Sequence, residues 1–318
     1  MTSGSNPPCD TQVRTYGKQA VAEAAALILE GWPVAVPTET VYGLAADSTN
    51  ADAVARIYAA KGRPSFNPLI VHVSDRTMAA QLAEFDPLAG ALADAFWPGP
   101  LTLVLPQAKD SPVASIATAG LDTIAVRCPA HPAMRDVITA TGKPLAAPSA
   151  NASGKISPTT AEHVLASLAG RLPMILDAGP CEQGLESTIV AVNNGAITLL
   201  RPGPVTAEML EAATGLSVRR NESKAISAPG QLESHYAPEK PVLLGISGND
   251  PDSFLIGFGD MPSDYNLSES GDLTEAAARL FDALHAADAS SAKEIHVAPI
   301  PEEGLGAAIN DRLRRAAA

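Results

Sequence analysis

A basic loop offers the residue types best suited to bind an anion. Lys61, Arg63 and Asn67 lie in the run Lys61-Gly62-Arg63-Pro64-Ser65-Phe66-Asn67-Pro68, directly before the apolar stretch Leu69-Ile70-Val71-His72-Val73. Arginine binds phosphate oxygens in a bidentate manner, whereas lysine supplies a mobile point charge. The whole chain has 22 Lys and Arg against 35 Asp and Glu, so two cations in one loop indicate a polyphosphate site. A solvated basic loop after a helix C-terminus, where cations are favoured, is the alternative interpretation.

Polar residues also flank other predicted strands. In open α/β sheets, the loops at the carboxyl ends of strands converge on one crevice, so side chains there can form a single site. Taken singly, each residue has a simpler explanation, because Ser and Asn are ordinary turn formers and a lone strand histidine is more often part of the core. Together they predict one binding site. The positions are Thr38, Thr40, His72, Arg127, Ser149, Asn151, Glu186, Ser187, Thr188 and Arg201.

Several familiar catalytic motifs are absent from the sequence. It contains no G-x-x-x-x-G-K-[ST] loop, no H-E-x-x-H, no G-x-S-x-G elbow and no G-x-G-x-x-G that opens a helix after a strand. Cys9, Cys128 and Cys181 are too widely spaced for a metal or disulfide pattern and suit a reducing compartment. Residues 1–16 lack the apolar segment of a secretory signal, and no stretch reaches the roughly 18 apolar residues of a membrane span. We therefore expect a cytoplasmic protein without membrane contact.

Length and composition predict two globular domains built around an aliphatic core. The chain has 318 residues, of which 46% are hydrophobic but only 4% aromatic, as in many α/β proteins. The formal net charge of -13 argues against a broad nucleic-acid-binding face. Helical and strand patterns alternate, which indicates an α/β fold. We predict a disordered tail over residues 1–16, a catalytic domain over 17–216, a linker over 217–240 and a small α/β domain over 241–318.

The hydrophobic periodicity and the turn signals predict the individual elements. Helices are expected at residues 17–31, 50–60, 75–83, 87–96, 132–141, 159–169, 206–214, 272–286 and 304–317. Strands are expected at residues 34–36, 69–73, 101–105, 123–127, 145–147, 174–177, 187–192, 197–200, 242–246, 254–258 and 294–299. Pro229-Gly230 marks a turn in the predicted linker.

Five strings, in the right order between residues 17 and 215, resemble the YrdC-like threonylcarbamoyl-AMP synthase family. They are Pro37-Thr38-Glu39-Thr40-Val41-Tyr42-Gly43-Leu44, the basic loop with Pro68-Leu69-Ile70-Val71-His72-Val73, Trp97-Pro98-Gly99-Pro100-Leu101-Thr102, Ala147-Pro148-Ser149-Ala150-Asn151-Ala152-Ser153-Gly154 and Leu200-Arg201-Pro202-Gly203. His235-Tyr236-Ala237-Pro238 and Ala308-Ile309-Asn310-Asp311-Arg312-Leu313 resemble the two-domain long form. Ala228-Pro229-Gly230-Gln231-Leu232 departs from the Ser-Pro-Gly-Met more usual there, which concerns linker detail only.

The resemblance implies a fold and a reaction. The fold is a YrdC-like twisted mixed open sheet with helices, followed by a small Rossmann-like α/β C-terminal domain. The reaction is adenylyl transfer by a nucleotidyltransferase, in which L-threonine, bicarbonate and ATP give threonylcarbamoyl-AMP and pyrophosphate. The product serves tRNA threonylcarbamoyladenosine modification next to the anticodon, through a threonylcarbamoyl transferase. Mg²⁺ is expected to come with ATP and to be held by its phosphates, with no metal site formed by protein side chains alone.

Matching the family motifs residue by residue implies two groups of substrate contacts. The threonine and carbamate group is Thr40, His72, Arg127, Ala147 and Ser187. The ATP group is Lys61, Arg63, Asn67, Thr123, Ser149, Asn151, Ser157, Arg201 and Tyr236, within which Lys61, Arg63, Ser149 and Asn151 are the expected catalytic residues. The loop cations are expected to be exposed and to add little to stability. The resemblance makes the linker a lid that brings Tyr236 over ATP; packing of Tyr236 on the second domain is the alternative.

Two other functions compete with this interpretation. A YrdC-like module that binds double-stranded RNA without catalysis is disfavoured by the net charge of -13, since phosphate contacts dominate nucleic-acid affinity. We accordingly expect no direct stable nucleic-acid binding. Carbamoyl transfer within a hydrogenase-maturation protein would come with an acylphosphatase domain and Cys-rich zinc motifs, and three scattered cysteines do not supply those motifs.

Overall fold

Two sheets organise the protein. The computed structural model describes residues 9–64, 66–220, 235–248 and 250–318, and within these it contains an 11-stranded mixed sheet and a four-stranded parallel sheet. This confirms the predicted fold class, a large twisted mixed sheet with helices followed by a small α/β domain. None of the helices in these residues is long and apolar enough to cross a membrane.

The larger sheet and its helices occupy the first 220 residues. Its strand order is β1-β8-β2-β3-β7-β4-β6-β5-β9-β10-β11. The elements are β1 (Gln12–Thr15), α1 (Lys18–Leu29), β2 (Val34–Pro37), β3 (Tyr42–Asp47), α2 (Ala51–Lys61), β4 (Ile70–His72), α3 (Arg76–Ala80), α4 (Pro87–Phe96), β5 (Leu101–Pro106), β6 (Thr123–Arg127), α5 (Pro132–Thr141), β7 (Leu145–Ala146), α6 (Ala161–Leu168), β8 (Met174–Asp177), β9 (Thr188–Asn193), β10 (Ala196–Arg201), α7 (Ala207–Thr214) and β11 (Val218–Arg220).

The smaller sheet has the order β12-β15-β13-β14. Its elements are β12 (Val242–Leu244), β13 (Ser253–Gly257), β14 (Tyr265–Asn266), α8 (Leu273–Ala289), β15 (Glu294–Val297) and α9 (Leu305–Ala316). The two domains share apolar packing, because Val41, Ile156 and Leu185 of the first domain belong to the same buried cluster as Phe281 of α8. The second domain is therefore packed directly against the first.

The end of α2 places the basic loop. Asn50 caps the start of this helix by accepting hydrogen bonds from the backbone N–H groups of Asp52 and Ala53. Gly62 ends the helix with φ 61°, a left-handed conformation that glycine adopts without steric cost. Lys61 thus lies in the last helical turn, and Arg63 begins the loop that leads to β4.

Strand register brings the polar residues to the same end of neighbouring strands. In the parallel β4–β6 pair, His72 lies opposite Arg127. In the parallel β5–β9 pair, Leu101 lies opposite Thr188, next to Ser187. An isolated bridge joins Gly43 to Ser149. These pairings bring segments that are far apart in the chain together at one end of the strands.

Four strands of the structure were not predicted from the sequence. Residues 12–15 fall within the predicted disordered tail 1–16, but they form β1. This strand pairs in parallel with β8 and is the edge strand of the larger sheet. β1 is largely exposed, so its side chains give no burial pattern to read. Residues 42–47 form β3, fully buried and antiparallel to β2, where the sequence suggested only a motif after a strand. Backbone pairing likewise creates the short strands β11, at the start of the predicted linker, and β14. Pro229-Gly230 and residues 228–232 lie outside the described residues.

Candidate active site

One pocket collects most of the predicted site residues. It has an empty volume of about 530 Å³, open solvent included. All five residues of the threonine group line it, as do Arg63, Ser149 and Arg201 of the ATP group; Glu186 and His235 complete much of the wall. A larger cavity of about 1210 Å³ lies between α7 and α9, and no predicted site residue lines it. The smaller pocket is therefore the candidate active site.

Lys61 holds the turn that carries Ser149 and Asn151. Its Nζ donates to the carbonyl oxygens of Ser149 and Asn151, both at 2.6 Å, and to Asn151 Oδ1 at 3.2 Å. These bonds use all three ammonium N–H groups. Lys61 is only 3% exposed, and burial, with a smaller contribution from Arg63, lowers its pKa well below the usual value. Lys61 thus fixes the turn and places a buried cation beside the pocket.

Arg63 folds the basic loop around itself. Its Nε donates to Asn67 O at 3.3 Å and its Nη2 donates to Pro68 O at 3.0 Å. Arg63 is 9% exposed, and burial lowers its pKa to about 10. The expectation of exposed loop charges is therefore wrong, because Lys61 and Arg63 are buried and satisfy backbone carbonyls. Asn67 is buried beside them, and its side-chain nitrogen and oxygen have no hydrogen-bond partner among the described residues, which leave out Ser65.

Arg127 forms a buried ion pair on the other side of the pocket. Its Nη2 donates to Glu39 Oε1 at 2.6 Å, its Nη1 to Thr40 Oγ1 at 3.0 Å and its Nε to Gly99 O at 3.3 Å. A guanidinium has five N–H groups, so two have no partner among the residues that the structure describes and can bind a ligand. Burial opposes the charge of Glu39, but Arg127 and backbone N–H donors, that of His131 among them, outweigh it and lower the pKa of Glu39. The pair is charge-neutral overall.

His72 adds a neutral imidazole next to this pair. The residue is 2% exposed, and no described residue forms a hydrogen bond with its Nδ1. Burial, and then the charge of Arg127, lower the pKa of His72 to about 3. The ring therefore stays neutral at physiological pH and can exchange hydrogen bonds with a polar ligand.

Arg201 positions Ser187. Its Nε and Nη2 donate to Ser187 O at 3.1 and 2.9 Å, and its Nη2 lies 3.1 Å from Ser187 Oγ. Ser187 Oγ also shares a hydrogen bond with Thr102 Oγ1 at 2.7 Å. Gly203 packs so closely on this segment that a Cβ would lie 2.6 Å from the backbone of Glu186 and Thr188. This close approach explains why glycine occupies that position.

The second domain contributes a fully buried arginine to the back of the site. Arg312 of α9 donates from Nε to Glu186 Oε2 at 2.9 Å and from Nη1 to Pro202 O at 2.8 Å. Glu186 Oε1 accepts a hydrogen bond of 2.5 Å from Ser157 Oγ. Burial would raise the pKa of Glu186, yet Arg312 and Arg201 lower it. The carboxylate is therefore ionised and ties the two domains together.

Tyr236 packs at the domain interface. It is fully buried, its ring centroid lies 5.5 Å from that of Phe281, and the Arg312 guanidinium lies 5.4 Å from its ring. Its hydroxyl has no hydrogen-bond partner within the part of the chain that the structure describes. The neighbouring His235 lines the pocket. The linker end thus contacts the second domain, as the alternative prediction holds, and also borders the pocket.

The remaining predicted residues do not line the pocket themselves. Lys61 donates hydrogen bonds to both Ser149 and Asn151, and Ser157 donates one to Glu186. Thr123 lies at the opposite end of β6 from Arg127, opposite Pro106, and does not line the pocket. Its assignment to ATP stays a prediction.

Sequence reasoning missed three residues that organise the site: Glu39, Thr102 and Arg312. Glu39 and Thr102 lie inside the quoted motifs, and a carboxylate between two threonines in an apolar context is a signal that could have found the first. Arg312 also lies in a quoted motif, but its partner Glu186 is 126 residues away in the chain. Nothing local in the sequence indicates that pairing.

The mixed α/β fold and the buried polar pocket are those of an α/β enzyme, and the comparisons identify its family. Residues 26–203 match the Sua5/YciO/YrdC family model, whose description reads "Telomere recombination". Residues 205–318 match the model of the threonylcarbamoyl-AMP synthase C-terminal domain. The chain therefore belongs to the YrdC-like threonylcarbamoyl-AMP synthase family, in its two-domain form.

Individual relatives span nearly the whole chain. The threonylcarbamoyl-AMP synthase of Bacillus subtilis is 41% identical over 93% of this chain and 92% of its own length. That of Pyrococcus abyssi is 39% identical over 92% of each. A crystal structure of P. abyssi Sua5 complexed with L-threonine superposes with a TM-score of 0.88 at 37% identity and covers 97% of both chains.

Proposed function

We propose that this pocket makes threonylcarbamoyl-AMP and pyrophosphate from L-threonine, bicarbonate and ATP. The observation that carries the proposal is a division of charge within the site. Lys61, Arg63 and Arg201 have no carboxylate within ion-pair distance among the described residues; they donate to carbonyl and other neutral oxygens instead. Arg127, in contrast, is neutralised by Glu39. Uncompensated cations suit a polyphosphate, and a neutral pair suits a zwitterionic amino acid.

On the amino-acid side, Arg127 binds the threonine carboxylate through its two remaining N–H groups. Glu39 and Gly99 O fix the guanidinium plane, so little side-chain freedom is lost on binding. Thr40, His72 and Ser187 offer hydroxyl and imidazole partners for the amino and hydroxyl groups. Ala147 lines the same pocket and leaves room for the substrate methyl group.

On the nucleotide side, the reaction needs positioning and charge stabilisation and no protein nucleophile. The threonine amine takes up CO₂ as a carbamate, whose oxygen attacks the α-phosphorus of ATP and displaces pyrophosphate. Arg63 keeps three of its five N–H groups unpartnered among the described residues and contacts the phosphates. Lys61 stabilises the developing charge from within the turn that carries Ser149 and Asn151.

Mg²⁺ enters with ATP in this scheme. The two carboxylates at the site, Glu39 and Glu186, are already engaged by Arg127, Arg312 and Ser157. Because both carboxylates are engaged, the site fits a Mg²⁺ ion that would be carried by the phosphate oxygens of ATP and would neutralise their charge. Asn67, Thr123 and Tyr236 complete the proposed nucleotide contacts, and Tyr236 with His235 forms the lid that excludes water.

The product is a reactive mixed anhydride that must be consumed by group transfer. We propose that a threonylcarbamoyl transferase acting on tRNA uses it. The net charge of -13 is unfavourable for a stable complex of this chain with nucleic acid.

The three free cysteines suit the reducing cytoplasm, which we propose as the location.

Pyrophosphate release tests the proposal. With ATP, Mg²⁺ and bicarbonate present, we expect release to depend on L-threonine and the nucleotide product to be threonylcarbamoyl-AMP. Omission of bicarbonate from CO₂-depleted buffer is the matched control and should abolish release. Threonine-independent pyrophosphate formation, or formation of AMP alone, would contradict the proposal.

A further inference from the structure

Two histidines stack across the domain interface, away from the pocket wall. His163 of α6 belongs to the first domain and His285 of α8 to the second. Their ring centroids are 3.8 Å apart and their planes meet at 17°. Both rings are partly buried. Neither residue has a role in the reaction described above.

Hydrogen bonds connect this pair to the segment that carries Ser157. His285 Nε2 donates to the Ser157 carbonyl at 3.2 Å. His163 Nδ1 accepts from the Thr159 backbone N–H at 3.4 Å. Two residues before Thr159, the Ser157 hydroxyl donates to Glu186 in the pocket wall. The two rings therefore hold residues 157–159 without themselves lining the pocket.

Geometry makes the neutral form of both rings the form that fits. A proton on His163 Nδ1 would remove the hydrogen bond from the Thr159 N–H and leave Nδ1 only the Thr159 hydroxyl, 3.3 Å away, as an acceptor, so residues 157–159 would lose a backbone contact. Two positive rings at 3.8 Å would also repel each other across a partly buried contact.

The charged groups around the pair do not remove this preference. Asp282 of α8 lies 3.6 Å from His163 Nε2, and Glu162 of α6 also favours a charged His163. Part of the Asp282 charge is engaged by the Tyr265 hydroxyl at 2.7 Å, which Arg279 contacts in turn. Burial outweighs these carboxylates, so the pKa of His163 lies below its usual value, and burial with His163 lowers the pKa of His285 to about 4.

We propose that the His163–His285 stack is a proton-sensitive positioning device that lets the second domain hold the Ser157 segment of the ATP site. While both rings are neutral, α8 fixes residues 157–159. Protonation in acid separates the rings, and the segment loses its support. The proposal rests on the proposed function for its link to ATP, but the coupling between the domains does not depend on that function.

The sign of the pH effect follows from the geometry. Opening the interface returns each imidazole to its ordinary pKa of about 6.5, so the open state binds more protons than the closed state. The coupling is therefore complete above roughly pH 6.5 and weakens as the pH falls. A glutamine at position 285 can still donate to Ser157 O but does not titrate, whereas an alanine cannot donate.

Hydrogen exchange in wild type, His285→Gln and His285→Ala tests the device, with each variant compared with wild type at the same pH. The quantity compared is the protection factor of peptides spanning 157–168 in wild type divided by that in His285→Gln. This ratio should be near one at pH 7.5 and should fall about tenfold or more by pH 4.5. His285→Ala, which cannot donate to Ser157 O, should protect these peptides less than His285→Gln at both pH values, and peptides spanning β4 and β6 report that the fold is intact. Identical pH dependence in wild type and His285→Gln would overturn the proposal.

Binding of a non-hydrolysable ATP analogue separates this inference from the proposed function. We expect His285→Ala to weaken binding at pH 7.5 several-fold and His285→Gln to preserve it. If wild type shows the pH-dependent protection but binds no analogue, the coupling stands and the ATP assignment fails. If His285→Ala binds the analogue as tightly as wild type, the positioning role is wrong.

Discussion

The two sides of the pocket bury cations in different ways. On one side Lys61, Arg63 and Arg201 are stabilised by carbonyl and other neutral oxygens. On the other side Arg127 is stabilised by the carboxylate of Glu39. Neutral oxygens satisfy N–H groups yet leave the positive charge in place, whereas a carboxylate cancels it. From this difference we infer that the type of partner, more than the number of cations, sets the charge that each side of the pocket presents to a substrate.

Breaking the ion pair should have the largest effect. Arg127→Ala leaves Glu39 buried without its counter-charge, so we expect a loss of about 3–5 kcal/mol in the free energy of unfolding. Threonine binding should be lost as well. Chemical denaturation and calorimetric titration with L-threonine measure the two effects.

The double variant Arg127→Ala/Glu39→Gln is the matched control. It removes both charges, so we expect part of the stability to return while threonine binding stays lost. An equal loss of stability in the single and double variants would show that the pairing with Glu39 is not what Arg127 contributes to the fold.

Removing a cation from the polyanion side should have a smaller effect, concentrated on catalysis. Lys61→Met keeps much of the side-chain volume but removes the charge. We expect a loss of about 2–4 kcal/mol of transition-state stabilisation in pyrophosphate release. Because three buried oxygens lose their donor, the free energy of unfolding should also fall by about 1–3 kcal/mol.

Lys155→Met is a suitable control for that variant. Lys155 is exposed and forms a surface ion pair with Glu239, so its removal should change stability by no more than about 1 kcal/mol. If Lys61→Met and Lys155→Met turn over at the same rate, the buried lysine has no catalytic role.

Substrate selectivity sharpens the comparison on the amino-acid side. A site that pairs with a hydroxyl rejects an analogue that lacks it, because its own polar groups are left unpaired. We expect 2-aminobutyrate and valine to support pyrophosphate release about 100-fold or more worse than threonine. Serine, which lacks only the methyl group, should be penalised less than 2-aminobutyrate. Equal rates with threonine and 2-aminobutyrate would show that Thr40, His72 and Ser187 do not contact the hydroxyl.

The pH dependence of stability should be the mildest of these effects. The pKa of His72 is lowered to about 3, so the unfolded chain binds more protons below pH 6.5. Stability should therefore fall as the pH drops from about 6.5, by at most about 1.4 kcal/mol per pH unit for this residue. Glu39 has a lowered pKa, so its contribution persists above its unfolded value of about 4.3 and is lost only below it.

Denaturation of His72→Asn over pH 5–6.5 measures the histidine contribution, because the Glu39–Arg127 pair does not titrate in that window. The variant should show a shallower decline than wild type. An identical slope would mean that His72 is not held neutral by its surroundings.

Part of the fold and of the candidate site could be predicted from local sequence. The basic loop, the strand-end polar residues and the family motifs predicted the fold class and located the pocket-lining residues. Helix ends marked by Asn50 and Gly62 were also readable, since capping is a local property. Short strings of residues that line the pocket could therefore be found without coordinates.

Long-range pairing was not readable in the same way. Glu39 meets Arg127 across 88 residues, and Arg312 meets Glu186 across 126. The edge strand β1 owes its place to backbone pairing with β8 and not to a side-chain pattern. Burial of Lys61 and Arg63 depends on carbonyl groups that only the folded loop and turn bring together. Each of these features requires tertiary structure.

Separate binding of the two substrates tests the division of charge most directly. We compare the dissociation constants of L-threonine and of a non-hydrolysable ATP analogue in wild type, Arg63→Gln and Arg127→Lys by calorimetry. The account predicts that Arg63→Gln weakens analogue binding about tenfold or more and leaves threonine within about threefold, while Arg127→Lys does the reverse. If both variants weaken both ligands equally, the two sides of the pocket do not divide the substrates by charge, and the central claim is wrong.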